Sequence, residues 1–184
     1  LVLRRPVIVT DPIWVLQRRK VVNKSTDWFR VTEFKAISDP GERLVRKELL
    51  VPLSSYPNDF GLGPNPREPM LTSKVSILIK DCLEDHPETF HLLNRGITIV
   101  AKNIEYDNQS KRVRLNLGDG GDEEDLYGIL DGGNSNARIK IWRDGIDDED
   151  VLENAFVNVQ ILLPTQNGQS TLSDEMLSLL NDVK

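Results

Sequence analysis

The sequence predicts an α+β fold, a single mixed domain in which a β-sheet carries packed helices. Three observations lead there. Residues 27–37 alternate apolar and polar side chains, as a half-buried strand does. Val75, Leu78, Ile79 and Leu83 instead repeat at the spacing of one helix face. Neither a repeat nor a long low-complexity segment divides the 184 residues, and an apolar content of 39% is enough to bury a core.

Taken in order, residues 7–10 form a short β-like run that Pro12 and Trp14 soon interrupt. Residues 27–37, with Phe29, Val31 and Phe34 roughly in step, read as one strand, and Pro40-Gly41 breaks the chain after it. Residues 43–51 fit a strand better than a short helix. Four prolines and two glycines make residues 56–69 an irregular loop. Thr72 or Ser73 caps the helix of Val75, Leu78, Ile79 and Leu83, and Pro87 opens a second helix whose Phe90, Leu92 and Leu93 turn inward. Gly96 supplies the residue past its end, and residues 97–100 leave as a strand. Residues 105–117 form a hairpin around Asp107-Asn108-Gln109, and a strand over residues 126–130 follows an acidic loop. The remainder reads as a helix over 136–142, a helix changing to strand over 151–159, an apolar strand to Leu163 and an amphipathic helix over 172–180.

Charge is unevenly distributed. Residues 1–80 hold fourteen basic and eight acidic side chains (+6), residues 81–184 nine and twenty-one (−12), which together give the net −6. The basic portion, with Arg18, Arg19, Lys20, Lys24, Arg30, Arg43, Arg46 and Lys47, could follow a polyanion or could be ordinary surface charge. A lone cysteine, Cys82, rules out an internal disulfide and suits a reducing cytoplasm. No stretch approaches the roughly 18 apolar residues of a membrane span, so no membrane partner is expected, and the opening LVLRRPVIV is too short and too charged for a secretory signal.

The stretch most suggestive of chemistry is residues 127–142, YGILDGGNSNARIKIW. Ile129 and Leu130 end a strand, Gly132 and Gly133 turn the backbone tightly, and Asn134, Ser135 or Asn136 can cap the helix that follows. The first turn of such a helix presents unpaired N–H groups and the positive end of the dipole, which suits a phosphate or carboxylate. Strand-to-helix turns also use glycine for geometry alone.

About thirty residues upstream, HPETFHLLNRGITIVA at residues 86–101 resembles the pattern of the abortive infection phage resistance (AIPR) family. In that family an Asn-Asn-Gly-Ile-Thr element follows a Pro-Glu-x-Phe helix; here it is Asn94, Arg95, Gly96, Ile97 and Thr98. The family's later strand, glycine turn and polar helix fall on residues 129–135. The same turn is similar to that of DndB-like proteins and, more remotely, to the nucleotide-binding turn of ParB and sulfiredoxin. The resemblance spans roughly residues 29–163 and rests on these two motifs. It implies residues 1–26 as an N-terminal extension or edge strand and 27–184 as an AIPR-like domain that ends before the family pattern does. Two departures matter. Asn134-Ser135-Asn136 stands where related turns often carry His, and Arg95 replaces the second Asn.

Other constellations carry less. Cys82, His86 and His91 could suggest zinc, but no further Cys or His completes a tetrahedral set, and no metal ligands are expected. The acidic loop over 119–125 lacks EF-hand spacing, and Asp147, Asp148, Glu149 and Asp150 most simply begin a helix. No Gly-x-Ser-x-Gly elbow surrounds Ser135. The resemblance thus implies a cytoplasmic phage-defence module binding a nucleotide or nucleic acid; the cofactor stays unassigned, and the acidic runs together with Asp131 leave a nucleotide with a divalent cation open. Its pocket would be lined by Asn94, Arg95, Gly96, Thr98, Asp131, Gly132, Gly133, Asn134, Ser135 and Arg138. In that reading Arg95 and Arg138 neutralise charge, the glycine turn donates N–H groups, and Asp131 or Thr98 orients a ribose, water or cation; catalytic residues stay unassigned. The alternative is a non-catalytic domain that docks a partner protein, with both motifs structural.

Overall fold

The computed structural model describes residues 24–38, 44–57, 60–65, 67–119 and 126–164. The expected run at 7–10, most of the acidic loop and the helix expected over 172–180 lie outside them.

The fold is α+β, built on two sheets. Strands β1 (Phe29–Arg30), β5 (Asn103–Asp107) and β6 (Arg112–Asn116) form a small antiparallel sheet in the order β1-β6-β5. Strands β2 (Glu33–Ser38), β3 (Leu44–Pro52), β4 (Ile97–Val100), β7 (Gly128–Asp131) and β8 (Phe156–Pro164) form the larger sheet, ordered β2-β3-β8-β4-β7. All its pairs are antiparallel except β4 with β8. Lys24 and Thr26 donate backbone N–H groups to the Gly118 and Leu115 carbonyls, so the chain runs along β6 before β1 begins.

The single strand expected over 27–37 is in fact two, belonging to different sheets. At Val31 and Thr32 the chain crosses over: the Val31 N–H donates to the Lys111 carbonyl of the small-sheet hairpin and the Thr32 N–H to the Leu50 carbonyl of β3. The alternation slips at the crossover: Phe29 and Val31 are buried, Glu33 and Lys35 are exposed, and Phe34 is the next side chain partly covered. Farther along, Phe34 of β2 stacks on Tyr106 of β5 with ring centroids 4.2 Å apart.

Helix α1 (Lys74–Asp85) starts at Ser73, whose hydroxyl accepts the Ser76 N–H at 3.2 Å. Its buried face is Ser76, Ile79 and Leu83. Val75 and Leu78, expected on that face, point outward at 61% and 68% exposure. The helix meets its neighbour through Ser76, rotating the buried stripe by one position. A 3-10 turn over Pro87–Thr89 leads into the short α2 (Phe90–Leu93), where Phe90 is buried but Leu92 and Leu93 are exposed, against expectation. Four residues make a single turn, which can bury one side only.

Helix α3 (Gly133–Asp144) lies along α1, and α4 (Glu149–Asn154) is capped by Asp148, whose side chain accepts the Asp150 N–H. Strand β8 then alternates, burying Val157, Val159, Ile161 and Leu163, and carries the core between β3 and β4.

Candidate functional site

Strands β4 and β7 are neighbours, with Thr98 directly opposite Asp131 and a register shift between Thr98 and Ile99. The end of α2, which leads into β4, therefore lies beside the start of α3, which follows β7. The two sequence motifs meet there. The Asn94 side-chain amide lies 3.1 Å (Nδ2) and 3.2 Å (Oδ1) from the Ser135 hydroxyl, and Oδ1 also accepts the Gly96 N–H at 2.8 Å.

Helix α3 begins two or three residues earlier than expected. Its N-cap is Gly132, left-handed at φ 86°, and no side chain caps it. The expected caps Asn134, Ser135 and Asn136 lie inside the helix because the left-handed glycine makes the turn before them. Their side chains tie the first turn to its surroundings instead. Asn134 Oδ1 accepts the Met70 N–H at 2.8 Å, Ser135 meets Asn94, and buried Asn136 accepts the Tyr56 phenol at 3.0 Å. Burial pushes the Tyr56 hydroxyl far above the ordinary tyrosine range, so it remains a donor.

The glycines have specific steric duties. A Cβ at Gly132 would lie 2.7 Å from the Gly96 carbonyl oxygen and 2.9 Å from Ile97 Cα. Gly96 is itself left-handed at φ 85°, and a Cβ on it would run into the Asn158 carbonyl of β8. Gly132 and Gly96 thus let the two motifs pack backbone to backbone. Gly133 is helical and buried; a Cβ there would approach Asn65 Nδ2 to 3.1 Å and touch Leu62 and Pro69.

Arg95 and Asp131 are exposed, and Thr98 is partly so. Arg138 is turned away from the junction: Nε donates to the Ser76 hydroxyl at 2.9 Å and Nη2 to the Leu71 carbonyl at 2.5 Å. It fastens α3 to α1. Nine of the ten expected site residues therefore lie at the junction, and Arg138 serves packing beside it. Sequence reasoning missed Tyr56 and Asn65, from the segment read as an irregular loop, and Met70, which follows it. A buried amide needs a partner, and Asn136, read in the sequence as a cap, finds it in the Tyr56 phenol.

The junction presents hydrogen-bond donors but few groups for acid–base work. The N–H groups of Gly133, Asn134 and Ser135 have no acceptor within α3 and lie at the positive end of its dipole. Arg95 immediately precedes Gly96, whose carbonyl packs on Gly132. Neither residues 94–98 nor residues 131–136 contain His or Cys.

Comparison with known families matches residues 62–175 to the AIPR protein family model, a span that covers both motifs and more than half of the chain. The chain belongs to the AIPR family. Searches of curated proteins and of solved structures found no match. Membership in AIPR suggests a phage-defence role for the chain. Among the described residues, no AIPR helix is long and apolar enough to cross a membrane.

Proposed function

We propose that this AIPR chain is a cytoplasmic phage-defence module that binds the phosphate of a nucleotide or nucleic acid at the first turn of α3. The observation that supports this reading best is the hydrogen bond between Asn94 and Ser135, which ties the segment carrying Arg95 to a helix turn whose first N–H groups have no acceptor within the helix. Arg95 neutralises the phosphate, the N–H groups of the turn receive its oxygens, and Thr98 and Asp131 orient a ribose, a water or an accompanying divalent cation. Arg138 has no part in it, because its guanidinium is taken up by Ser76 and Leu71.

A thermal-shift titration with nucleotides and oligonucleotides tests the proposal. A ligand present at a hundred times its dissociation constant stabilises by about 2.7 kcal/mol, and Arg95→Glu abolishes the shift without lowering the melting temperature of the free protein. A melt unmoved by every nucleotide and oligonucleotide excludes the reading. Turnover by the isolated chain is at most weak, since Asn134-Ser135-Asn136 provides no imidazole. Rapid metal-dependent hydrolysis that disappears in Asp131→Asn would overturn this and make Asp131 a metal ligand.

A second reading, a non-catalytic protein-docking domain in which both motifs are structural, is favoured by the outward-facing Leu78 and Leu92, at 68% and 72% exposure. Its signature is the opposite one: no response to nucleotides, and loss of a partner complex when Leu78 becomes Lys in a chain that still melts normally.

A further inference from the structure

A cleft of about 440 Å³ opens where the chain crosses from the small sheet to the large one, and it shares no residue with the junction at α3. Thr32 of the crossover, Pro52 at the end of β3 and Phe156 at the start of β8 supply a mixed polar and apolar wall. Arg30, Glu153 and Lys111 bring charge to its rim. Its volume lies within the range of about 300–1,000 Å³ usual for small-molecule sites.

The three charges are not equivalent. The Arg30 guanidinium donates to the Glu153 carboxylate, so those two largely cancel. Lys111 has no ion pair among the described residues, which leaves one uncompensated positive charge at the cleft. Its backbone is also unusual. Lys111 is the one residue other than glycine with positive φ among those described, at 50°, in the hairpin turn between β5 and β6. Glycine adopts that conformation without steric cost, so the lysine side chain is carried there despite the backbone. Phe156 is partly exposed, and its ring meets His91 edge-on, at 78° and 5.8 Å between centroids.

We propose that this cleft binds a small monoanionic carboxylate on a flat apolar body, with Lys111 taking the carboxylate and the Phe156–Pro52 wall taking the body. The charge balance favours a monoanion over a phosphate dianion, because among the described residues the cleft offers one cation without an ion pair and also holds the Glu153 carboxylate. Thr32 offers a hydroxyl to the second carboxylate oxygen.

The test is a two-dimensional amide NMR titration of the whole chain with benzoate, with benzyl alcohol as the uncharged comparator and inorganic phosphate as the headgroup without a body. Benzoate is expected to shift the resonances of Thr32, Lys111 and Phe156, with at least tenfold tighter binding than either comparator. Lys111→Gly, which relieves the left-handed backbone, melts at or above the wild-type temperature yet binds benzoate at least tenfold more weakly. Glu153→Gln frees Arg30 and tightens benzoate severalfold. Benzoate shifts that avoid the cleft, affinity equal to that of benzyl alcohol, or undiminished binding by Lys111→Gly would each overturn the proposal.

Discussion

At the scale of single residues, Tyr56 and Asn136 form a buried pair whose loss is measurable. Tyr56→Phe removes the donor and leaves the Asn136 carbonyl oxygen buried without a partner, costing about 1–3 kcal/mol in denaturant melts. The same phenol makes the protein sensitive to alkali. Its folded-state pKa is raised by burial, so the stability it carries is complete below the ordinary tyrosine value of about 10 and declines as pH rises beyond it. The slope reaches about 1.4 kcal/mol per pH unit for one such group, and Tyr56→Phe is expected to flatten it. An equal slope in mutant and wild type would show that Tyr56 is not the group responsible. The glycines separate in the same way. Gly132→Ala meets both a left-handed φ and a carbonyl 2.7 Å away, and lowers the melting temperature strongly. Gly133→Ala gains up to about 1 kcal/mol of helix propensity against a small displacement of the Asn65 side chain, and is close to neutral. The sequence showed that glycine was needed at this turn but not which glycine bore the strain, because the decisive neighbour, Gly96, lies far off in the chain, just before β4.

Elements were legible where their determinants are local. Ser73 caps α1 as its position before the helix suggested, and Ser73→Ala is expected to cost about 1 kcal/mol in thermal or denaturant melts. The Asp107 turn was legible for the same reason: its carboxylate accepts from the Gln109 N–H at 2.9 Å and from the Ser110 hydroxyl at 2.6 Å. The Ser110 hydroxyl above all, then the backbone N–H groups, hold the Asp107 carboxyl below its usual range, so the turn's benefit is complete near neutrality and is lost as pH falls through the carboxylate range. What could not be read was orientation. Val75, Leu78, Ile79 and Leu83 satisfy a helical period, yet only Ile79 and Leu83 are buried, because Ser76 receives Arg138 of α3 and sets the rotation of α1. The break at Val31 shows in the sequence only as a slip of phase, from Phe29 and Val31 to Phe34, and the change of sheet that causes it depends on the distant carbonyls of Lys111 and Leu50.

At the scale of the whole molecule, the last described strand holds the fold together. β8 pairs with β3 from Phe156 to Pro164 and, in parallel, with β4 from Val159 to Leu162. No local pattern in residues 156–164 announces this. Their apolar run signals a buried strand, but the partners lie more than fifty residues away in sequence, and the choice between them is made by the assembled core. Without β8, the large sheet divides into the β2–β3 pair and the β4–β7 pair, and two-stranded units are at best marginal in water. Val157, Val159, Ile161 and Leu163 would also lose their burial. At about 1.5–3 kcal/mol each, these four alone match the roughly 5–15 kcal/mol that separates folded from unfolded domains. A chain ending at Asn154 is therefore expected to show no cooperative melt by circular dichroism or calorimetry, even though α1, α3 and the small sheet are all encoded upstream. Because the pairs of β8 close long loops, the intact chain should also fold slowly for its size. A sharp transition in the shortened chain would mean that the helices and the small sheet form a self-sufficient core, and that β8 is an addition to the fold rather than its centre.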